Sequence, residues 1–218
     1  MREYYTKQLQ QIHDNLLRMG SRVEHAAADA LRALARWDTD LAQRVIAEDH
    51  EIDSLRAAIE ESILEVIARQ QPVATDLRRL LGTIAISTEL ERMGDYAKGI
   101  AKRVTRNMRA PVLVEAPPEL HRMGEAAQHM LHTSLDAFVR LDADLARSLV
   151  AEDEKVDELQ DRAVATLLDQ ARADPNKLDG VYSLLDIAHV LERMADRTTN
   201  IAERVIFIAT SATEELNP

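Results

Sequence analysis

The sequence contains no cysteine, and aromatic residues make up only 3% of its 218 positions. The lack of cysteine excludes disulfides, iron–sulfur clusters and zinc sites with thiolate ligands, and it is compatible with a cytosolic protein. No segment approaches the roughly 18 continuous apolar residues of a membrane-spanning helix. The opening MREYYTKQLQQIHD also lacks the apolar stretch typical of a signal peptide. We therefore expect a cytoplasmic protein.

Positive charge is also scarce, with 27 Lys and Arg residues against 38 Asp and Glu residues and a net charge of −11. A nucleic-acid-binding protein presents Lys and Arg to phosphates, and direct docking on an anionic membrane needs the same residues. The composition therefore argues against nucleic acid as a partner. We expect any recruitment to the inner face of a membrane to pass through partner proteins.

What the chain does contain is a repeated, helix-forming sequence. Apolar residues make up 46% of it, and most of the abundant residue types are good helix formers, which predicts an all-α soluble protein. Two segments recur about a hundred residues further along the chain. Leu31–Leu55, LRALARWDTDLAQRVIAEDHEIDSL, recurs at Leu135–Leu159 as LDAFVRLDADLARSLVAEDEKVDEL. Glu89–Ala101, ELERMGDYAKGIA, recurs at Val190–Ala202 as VLERMADRTTNIA. Such a repeat predicts two structural units of about a hundred residues each.

Each unit is predicted to contain three helices. In the first unit, apolar residues spaced three and four apart define an amphipathic helix: Tyr5, Leu9, Ile12, Leu16, Met19 and Val23. Asp38 is a plausible N-cap of a second helix that continues until Pro72. A third helix is expected to begin at Thr75 or Asp76 and to run to about Arg106.

The second unit repeats this plan. Pro117 and Pro118 precede its first helix, Asp142 is placed to cap the next, and ADPNKLDG separates the last two. The segment APVLVEAPP, with three prolines, predicts a linker at 110–118 between units at 1–109 and 119–218. Helices of about 30 residues rise about 45 Å, which favours elongated three-helix bundles.

Four acidic pairs lie at equivalent positions of the two units. In each pair the second residue follows the first by four positions, which is about one helical turn. They are Asp49/Asp53, Glu91/Asp95, Asp153/Asp157 and Glu192/Asp196. Like charges at this spacing destabilise an isolated helix by a few tenths of a kcal/mol, whereas two carboxylates one turn apart can converge on a cation. A single pair is typical of a solvated helix face. Four pairs in a repeat make a metal site an equally strong reading, and both stay open.

The sequence shows no catalytic constellation. A di-iron carboxylate enzyme uses Glu-x-x-His ligand pairs, which the sequence lacks, and His189, three residues before Glu192, is replaced by Thr88 in the first unit. Phosphate-binding loops, Gly-x-Ser-x-Gly elbows and glycine-rich dinucleotide turns are absent from the sequence.

The segment QQPVATDLRRLLGTIAISTELERMGDYAKGIA, Gln70–Ala101, resembles the signature helix of the PhoU family of phosphate-signalling regulators. LERMADRTTNIAE, Leu191–Glu203, and the two Ala-Glu-Asp segments extend the resemblance over nearly the whole chain. The resemblance implies an all-α fold of two pseudo-symmetric antiparallel three-helix bundles, six long helices in all, with metal ions on the acidic faces.

The resemblance also implies a set of metal ligands. They are Asp49, Asp53, Glu91 and Asp95 in the first unit and Asp153, Asp157, Glu192, Asp196 and Asn200 in the second. The ions would be divalent or trivalent: Mg, Mn, Fe or Zn. Where the second unit has Asn200 and Glu203, the first has Gly99 and Lys102. We therefore expect the first site to bind metal more weakly.

The family resemblance implies a non-enzymatic cytoplasmic adaptor. Such a protein would act negatively on phosphate uptake and phosphate-starvation signalling by linking the ATPase of a phosphate ABC transporter to a sensor histidine kinase. Dimers are common in the family, so a homodimer is expected. Two alternatives follow from the residues alone: a carboxylate-bridged metalloenzyme on a helical bundle, and a metal-free helical scaffold.

Overall fold

The structure is a computed structural model that describes residues 2–108 and 112–217. It confirms the all-α prediction, because these residues form helices and connecting turns and no strand. The helices are α1 (Arg2–Arg36), α2 (Thr39–Glu48), α3 (His50–Gln70), α4 (Ala74–Asn107), α5 (Pro118–Arg140), α6 (Ala143–Arg147), α7 (Val150–Ala173) and α8 (Leu178–Thr210), with a 3-10 turn at Pro175–Lys177. Part of the predicted linker at 110–118 lies outside the described residues.

Local side-chain chemistry starts and stops the helices where the sequence indicates. The Asp38 carboxylate accepts a hydrogen bond from the N–H of Leu41 at 2.9 Å, and Asp142 accepts one from the N–H of Leu145 at 3.0 Å, so both predicted N-caps are confirmed. Each such cap stabilises its helix by about 1 kcal/mol. Helix α3 is terminated by Gln71, the residue after its last turn, which has left-handed dihedrals (φ 47°, ψ 54°) and precedes Pro72.

The second helix of each unit is interrupted, which the apolar spacing did not predict. The first interruption separates α2 from α3 at Asp49, and the second separates α6 from α7 at Ser148 and Leu149. Asp49 keeps right-handed helical dihedrals (φ −54°, ψ −34°), and so does Leu149 (φ −66°, ψ −23°). Each pair of short helices therefore continues as one rod. Six rods result, and they form the predicted pair of antiparallel three-helix bundles.

The two bundles share one continuous apolar core. Helix α1 packs against α3 and α4, and α5 packs against α7 and α8. The bundles meet where α4 lies along α8 and where α1 crosses α5. Within the described residues, no helix is long and apolar enough to cross a membrane.

Helices α1 and α5 cross through reciprocal glycine–leucine contacts. A β-carbon added at Gly20 would lie 2.6 Å from Cδ1 of Leu135, and one added at Gly124 would lie 2.5 Å from Cδ1 of Leu31. Both distances are far below van der Waals contact, so a larger residue at either position would require the facing leucine side chain to shift. Gly20 and Gly124 occupy equivalent repeat positions, as do Leu31 and Leu135. The crossing is therefore a direct expression of the pseudo-symmetry.

Candidate metal centre

The fold gathers the predicted acidic residues into two clusters, one in each bundle. The first cluster is Asp49, Asp53, Glu91 and Asp95, and the second cluster is Asp153, Asp157, Glu192 and Asp196. One carboxylate of each cluster is buried, because Asp49 is only 6% exposed and Asp153 only 7% exposed. The other members lie on the neighbouring turn of α3 or α7 and on α4 or α8.

The first cluster carries its own cations. The Lys98 ammonium lies 2.5 Å from Oδ2 of Asp49 and 3.8 Å from Oδ1 of Asp95. The guanidinium of Arg56 lies 3.5 Å from Oε1 of Glu91. The hydrogen bond to Asp49 raises the pKa of Lys98, so the ammonium is charged at neutral pH. Basic side chains thus compensate much of this cluster's negative charge.

Sequence reasoning attributed the extra cation of the first unit to Lys102, which is exposed. The ammonium that contacts the cluster is that of Lys98. Its signal was present in the sequence, because residues three apart on a helix are neighbours and Lys98 follows Asp95 by three. The equivalent position in the second unit is Thr199, which carries no charge.

The second cluster is compensated far less. In the part of the chain that the structure describes, no Lys or Arg forms an ion pair with its four carboxylates. Burial, together with repulsion from Asp196, Asp157 and Glu192, raises the pKa of Asp153 to about 7. Burial and the charge of Asp196 also raise the pKa values of Asp157 and Glu192. The second cluster thus places several mutually repelling carboxylates in a partly desolvated environment.

One oxygen of the second cluster has no hydrogen-bond donor. Oε2 of Glu192 is buried and accepts no hydrogen bond from any described residue, although Nδ1 of His189 lies 3.3 Å away. Buried polar atoms are nearly always paired. An orphaned carboxylate oxygen among other carboxylates is therefore a natural place for a cation.

Asn217 also contacts the second cluster, and sequence reasoning missed it. Its side-chain amide donates to Oδ2 of Asp153 at 3.1 Å and to Oδ1 of Asp196 at 3.0 Å. Asn217 lies beyond the end of α8, 64 residues from Asp153 along the chain. No local pattern in the sequence could have indicated the contact.

Asn200, the ninth predicted ligand, has a different contact. Its amide lies 3.5 Å from Oε2 of Glu89 on α4, and the guanidinium of Arg197 lies 3.2 Å from the same oxygen. Asn200 therefore takes part in the contact between α4 and α8. Its role as a metal ligand stays a prediction.

The donor set of the second cluster fits a hard cation better than that of the first. Its side-chain donor atoms are all oxygens, which Mg²⁺ and Mn²⁺ prefer, and they include the buried Oε2 of Glu192, which accepts no hydrogen bond from the described residues. The first cluster fits less well because the Lys98 ammonium lies against two of its carboxylates. Among the described residues, no three His, Asp or Glu side chains are placed so that they could hold a metal ion as they stand. A bound ion would thus require side-chain movements.

Two pseudo-symmetric three-helix bundles, each with an acidic cluster between its second and third rods, define a duplicated helical-bundle protein. The PhoU domain model matches residues 16–104 and 120–205. The chain therefore belongs to the PhoU family.

Proteins of known identity extend this similarity over nearly the full length. The phosphate-specific transport system accessory protein PhoU homolog of Clostridium acetobutylicum is 36% identical, over 99% of this chain and 99% of that protein. The crystal structure of PhoU from Pseudomonas aeruginosa has a TM-score of 0.90 and 33% identity, covering 95% of this chain and 100% of that one. The crystal structure of the phosphate transport system regulatory protein PhoU from Streptococcus pneumoniae has a TM-score of 0.88 and 30% identity, covering 96% and 99%.

Proposed function

We propose that the protein is a cytoplasmic, non-enzymatic adaptor that negatively regulates phosphate uptake and phosphate-starvation signalling. It would link the ATPase of a phosphate ABC transporter to a sensor histidine kinase and act as a homodimer. The observation that carries the proposal is similarity over nearly the full length to proteins named as accessory to, or regulators of, phosphate transport. The related proteins share the whole double bundle, so the comparison concerns the complete fold.

Exposed apolar side chains support a role in protein contacts. Leu64 on α3 is 64% exposed, and Leu168, its repeat equivalent on α7, is 39% exposed. Leu81 on α4 is 49% exposed, and Tyr182, its equivalent on α8, is 66% exposed. Apolar residues exposed at matching positions of both bundles are suited to partner proteins that contact the two bundles in similar ways.

Metal binding belongs to the same proposal. The second cluster would hold a divalent or trivalent ion through Asp153, Asp157, Glu192 and Asp196, and the first cluster would bind more weakly because Lys98 competes. The ion would supply positive charge that neutralises the crowded carboxylates. The carboxylates themselves would hold α7 and α8 together through it or present it to acidic groups of a partner.

The metal proposal is tested by a pair of matched double variants. Glu192→Gln with Asp196→Asn should remove metal from the protein, as measured by elemental analysis and by calorimetric titration with Mn²⁺. The equivalent pair in the first bundle, Glu91→Gln with Asp95→Asn, should change metal content less. EDTA should lower the Tm of the wild-type protein, because an ion that binds only the native state stabilises it. Unchanged metal content in the second-bundle variant would contradict the assignment.

The regulatory proposal is tested in phosphate-replete cells of the source organism. Deleting the gene should raise phosphate uptake and switch on starvation signalling, and the wild-type gene should reverse both changes. Affinity purification from the same cells should recover the transporter ATPase and the histidine kinase. Normal uptake and signalling in the deletion strain would refute the regulatory role. Turnover of phosphate esters by metal-loaded protein would support the enzyme alternative instead.

A further inference from the structure

The segment after α8, Ser211–Asn217, folds back along the helix that precedes it. Ser211 has left-handed dihedrals (φ 67°, ψ 5°) and ends α8. Further along, the N–H of Leu216 donates to Oε1 of Glu203 at 3.0 Å, and Asn217 reaches Asp196, 21 residues earlier in the chain. We call Ser211–Asn217 the strap.

Three contacts fasten the strap. The guanidinium of Arg147 forms a two-pronged pair with Glu214, from Nε to Oε2 at 2.9 Å and from Nη2 to Oε1 at 2.7 Å. Such forked pairs add geometric specificity to charge. Leu216 packs its side chain against the apolar core and donates its N–H to Glu203. Asn217 forms the third contact, with Asp153 and Asp196.

Asn217 occupies the position in the second cluster that Lys98 occupies in the first. Lys98 bridges Asp49 and Asp95. Asn217 bridges Asp153 and Asp196, which are the repeat equivalents of those two carboxylates. In each cluster one hydrogen-bond donor thus bridges this pair of carboxylates, and it is part of α4 in the first bundle but is carried by the terminal strap in the second.

The strap and a cation need the same oxygen atoms. The amide hydrogens of Asn217 point at Oδ2 of Asp153 and Oδ1 of Asp196, and their partial positive charge repels a cation at that position. We propose that the strap is an autoinhibitory contact that competes with a divalent cation for the second cluster, so that cation binding releases it. This inference rests on the proposed metal site. Because such coupling is reciprocal, weakening the strap must strengthen cation binding.

The test uses full-length single variants and Mn²⁺ as the probe. Asn217→Ala removes the competing amide, and Glu214→Gln weakens the ion pair with Arg147. Glu215→Gln is the matched control, because it makes the same change of charge at an exposed strap position. Isothermal titration measures the Kd for Mn²⁺, and hydrogen exchange measures protection of the Leu216 amide with and without the ion.

The competition predicts a specific pattern. Asn217→Ala should tighten Mn²⁺ binding by at least about ten-fold, the factor that corresponds to losing one hydrogen bond to a charged group. Glu214→Gln should change the Kd in the same direction, and Glu215→Gln should leave it close to the wild-type value. In the wild-type protein, Mn²⁺ should reduce protection of the Leu216 amide.

Other outcomes separate the two proposals. Mn²⁺ binding with equal Kd in all four proteins and unchanged Leu216 protection would overturn the strap alone. Weaker binding in Asn217→Ala would also overturn it, because the strap would then supply a ligand. Absence of Mn²⁺ binding from every protein would refute the metal site of the proposed function, and the competition with it.

Discussion

Replacing Lys98 with methionine removes the ammonium from the first cluster while keeping most of the side-chain volume. The ammonium lies 2.5 Å from Asp49 and 3.8 Å from Asp95. The variant therefore leaves Asp49 as a buried carboxylate without its main donor. Because the pKa of Lys98 is raised above its ordinary 10.5, the ammonium keeps its charge throughout the neutral range, and its contribution to stability is lost as the pH rises through that raised value.

The loss of unfolding free energy depends on how far water can reach the Asp49 carboxylate once the Lys98 ammonium is removed. A buried acceptor left without its donor costs about 1–3 kcal/mol, and breaking a fully buried ion pair costs about 3–5 kcal/mol. Asp49 is 6% exposed, whereas the Lys98 side chain is 28% exposed, so water can reach part of the gap. We expect Lys98→Met to lower the free energy of unfolding by about 2–3 kcal/mol. In a chain of this length, that lowers the Tm by about 4–12 °C.

Urea denaturation followed by circular dichroism at pH 7 in EDTA measures this loss. Lys102→Met is the matched control, because it removes the same charge from an exposed position one turn further along α4. Adding Asp49→Asn to Lys98→Met should recover much of the stability, since the orphaned charge is then gone. Mn²⁺ should stabilise Lys98→Met more than the wild-type protein. If Lys98→Met and Lys102→Met are equally stable, the reasoning about the first cluster is refuted.

Two further predictions concern pH and the bundle crossing. In metal-free buffer, the Asp153 pKa of about 7, against an ordinary value of 3.8, means that the native state holds a proton that the unfolded chain has released. The free energy of unfolding should therefore fall as the pH rises from about 4 to about 7. Asp153→Asn should lessen that fall in urea denaturation, and equal slopes of unfolding free energy against pH in the two proteins would contradict the assignment. Gly124→Ala places a β-carbon 2.5 Å from Leu31, an overpacking that costs about 1–3 kcal/mol against a gain of about 1 kcal/mol in helix propensity. In the wild-type background, Gly124→Ala should lower the free energy of unfolding, whereas in a Leu31→Ala background, which has room for the β-carbon, it should raise it. Equal effects in both backgrounds would show that the crossing is not tightly packed.

Sequence reasoning succeeded where the physics is local. The caps at Asp38 and Asp142 act on N–H groups three residues away, and the apolar spacing defined the buried faces of the rods. The Lys98–Asp95 pair was readable in the same way, since three residues on a helix form one turn. The contact of Asn217 with the second cluster depends instead on the path of the strap, which no residue spacing encodes.

The acidic pairs show the same division. Their repetition in both units predicted that they gather on neighbouring rods, and the structure brings the two four-residue sets together. The family resemblance also placed Asn200 among the ligands with Glu192 and Asp196, but a residue on that side of α8 can meet either of two neighbouring helices. The packing of α4 against α8 turns Asn200 toward Glu89. Which neighbouring helix such a residue contacts depends on how the helices pack, and the sequence of one helix does not determine that.

The glycine–leucine crossing of α1 and α5 has a consequence for how partners can bind. Its two contacts lie eleven residues apart on each helix, which is about 16 Å along the axes. Two contacts at that separation oppose both rotation and sliding of one bundle against the other, whereas one contact would act as a pivot. The surfaces of the two bundles are therefore held at a constant span. A partner with two binding elements at that span would engage the second as an intramolecular step.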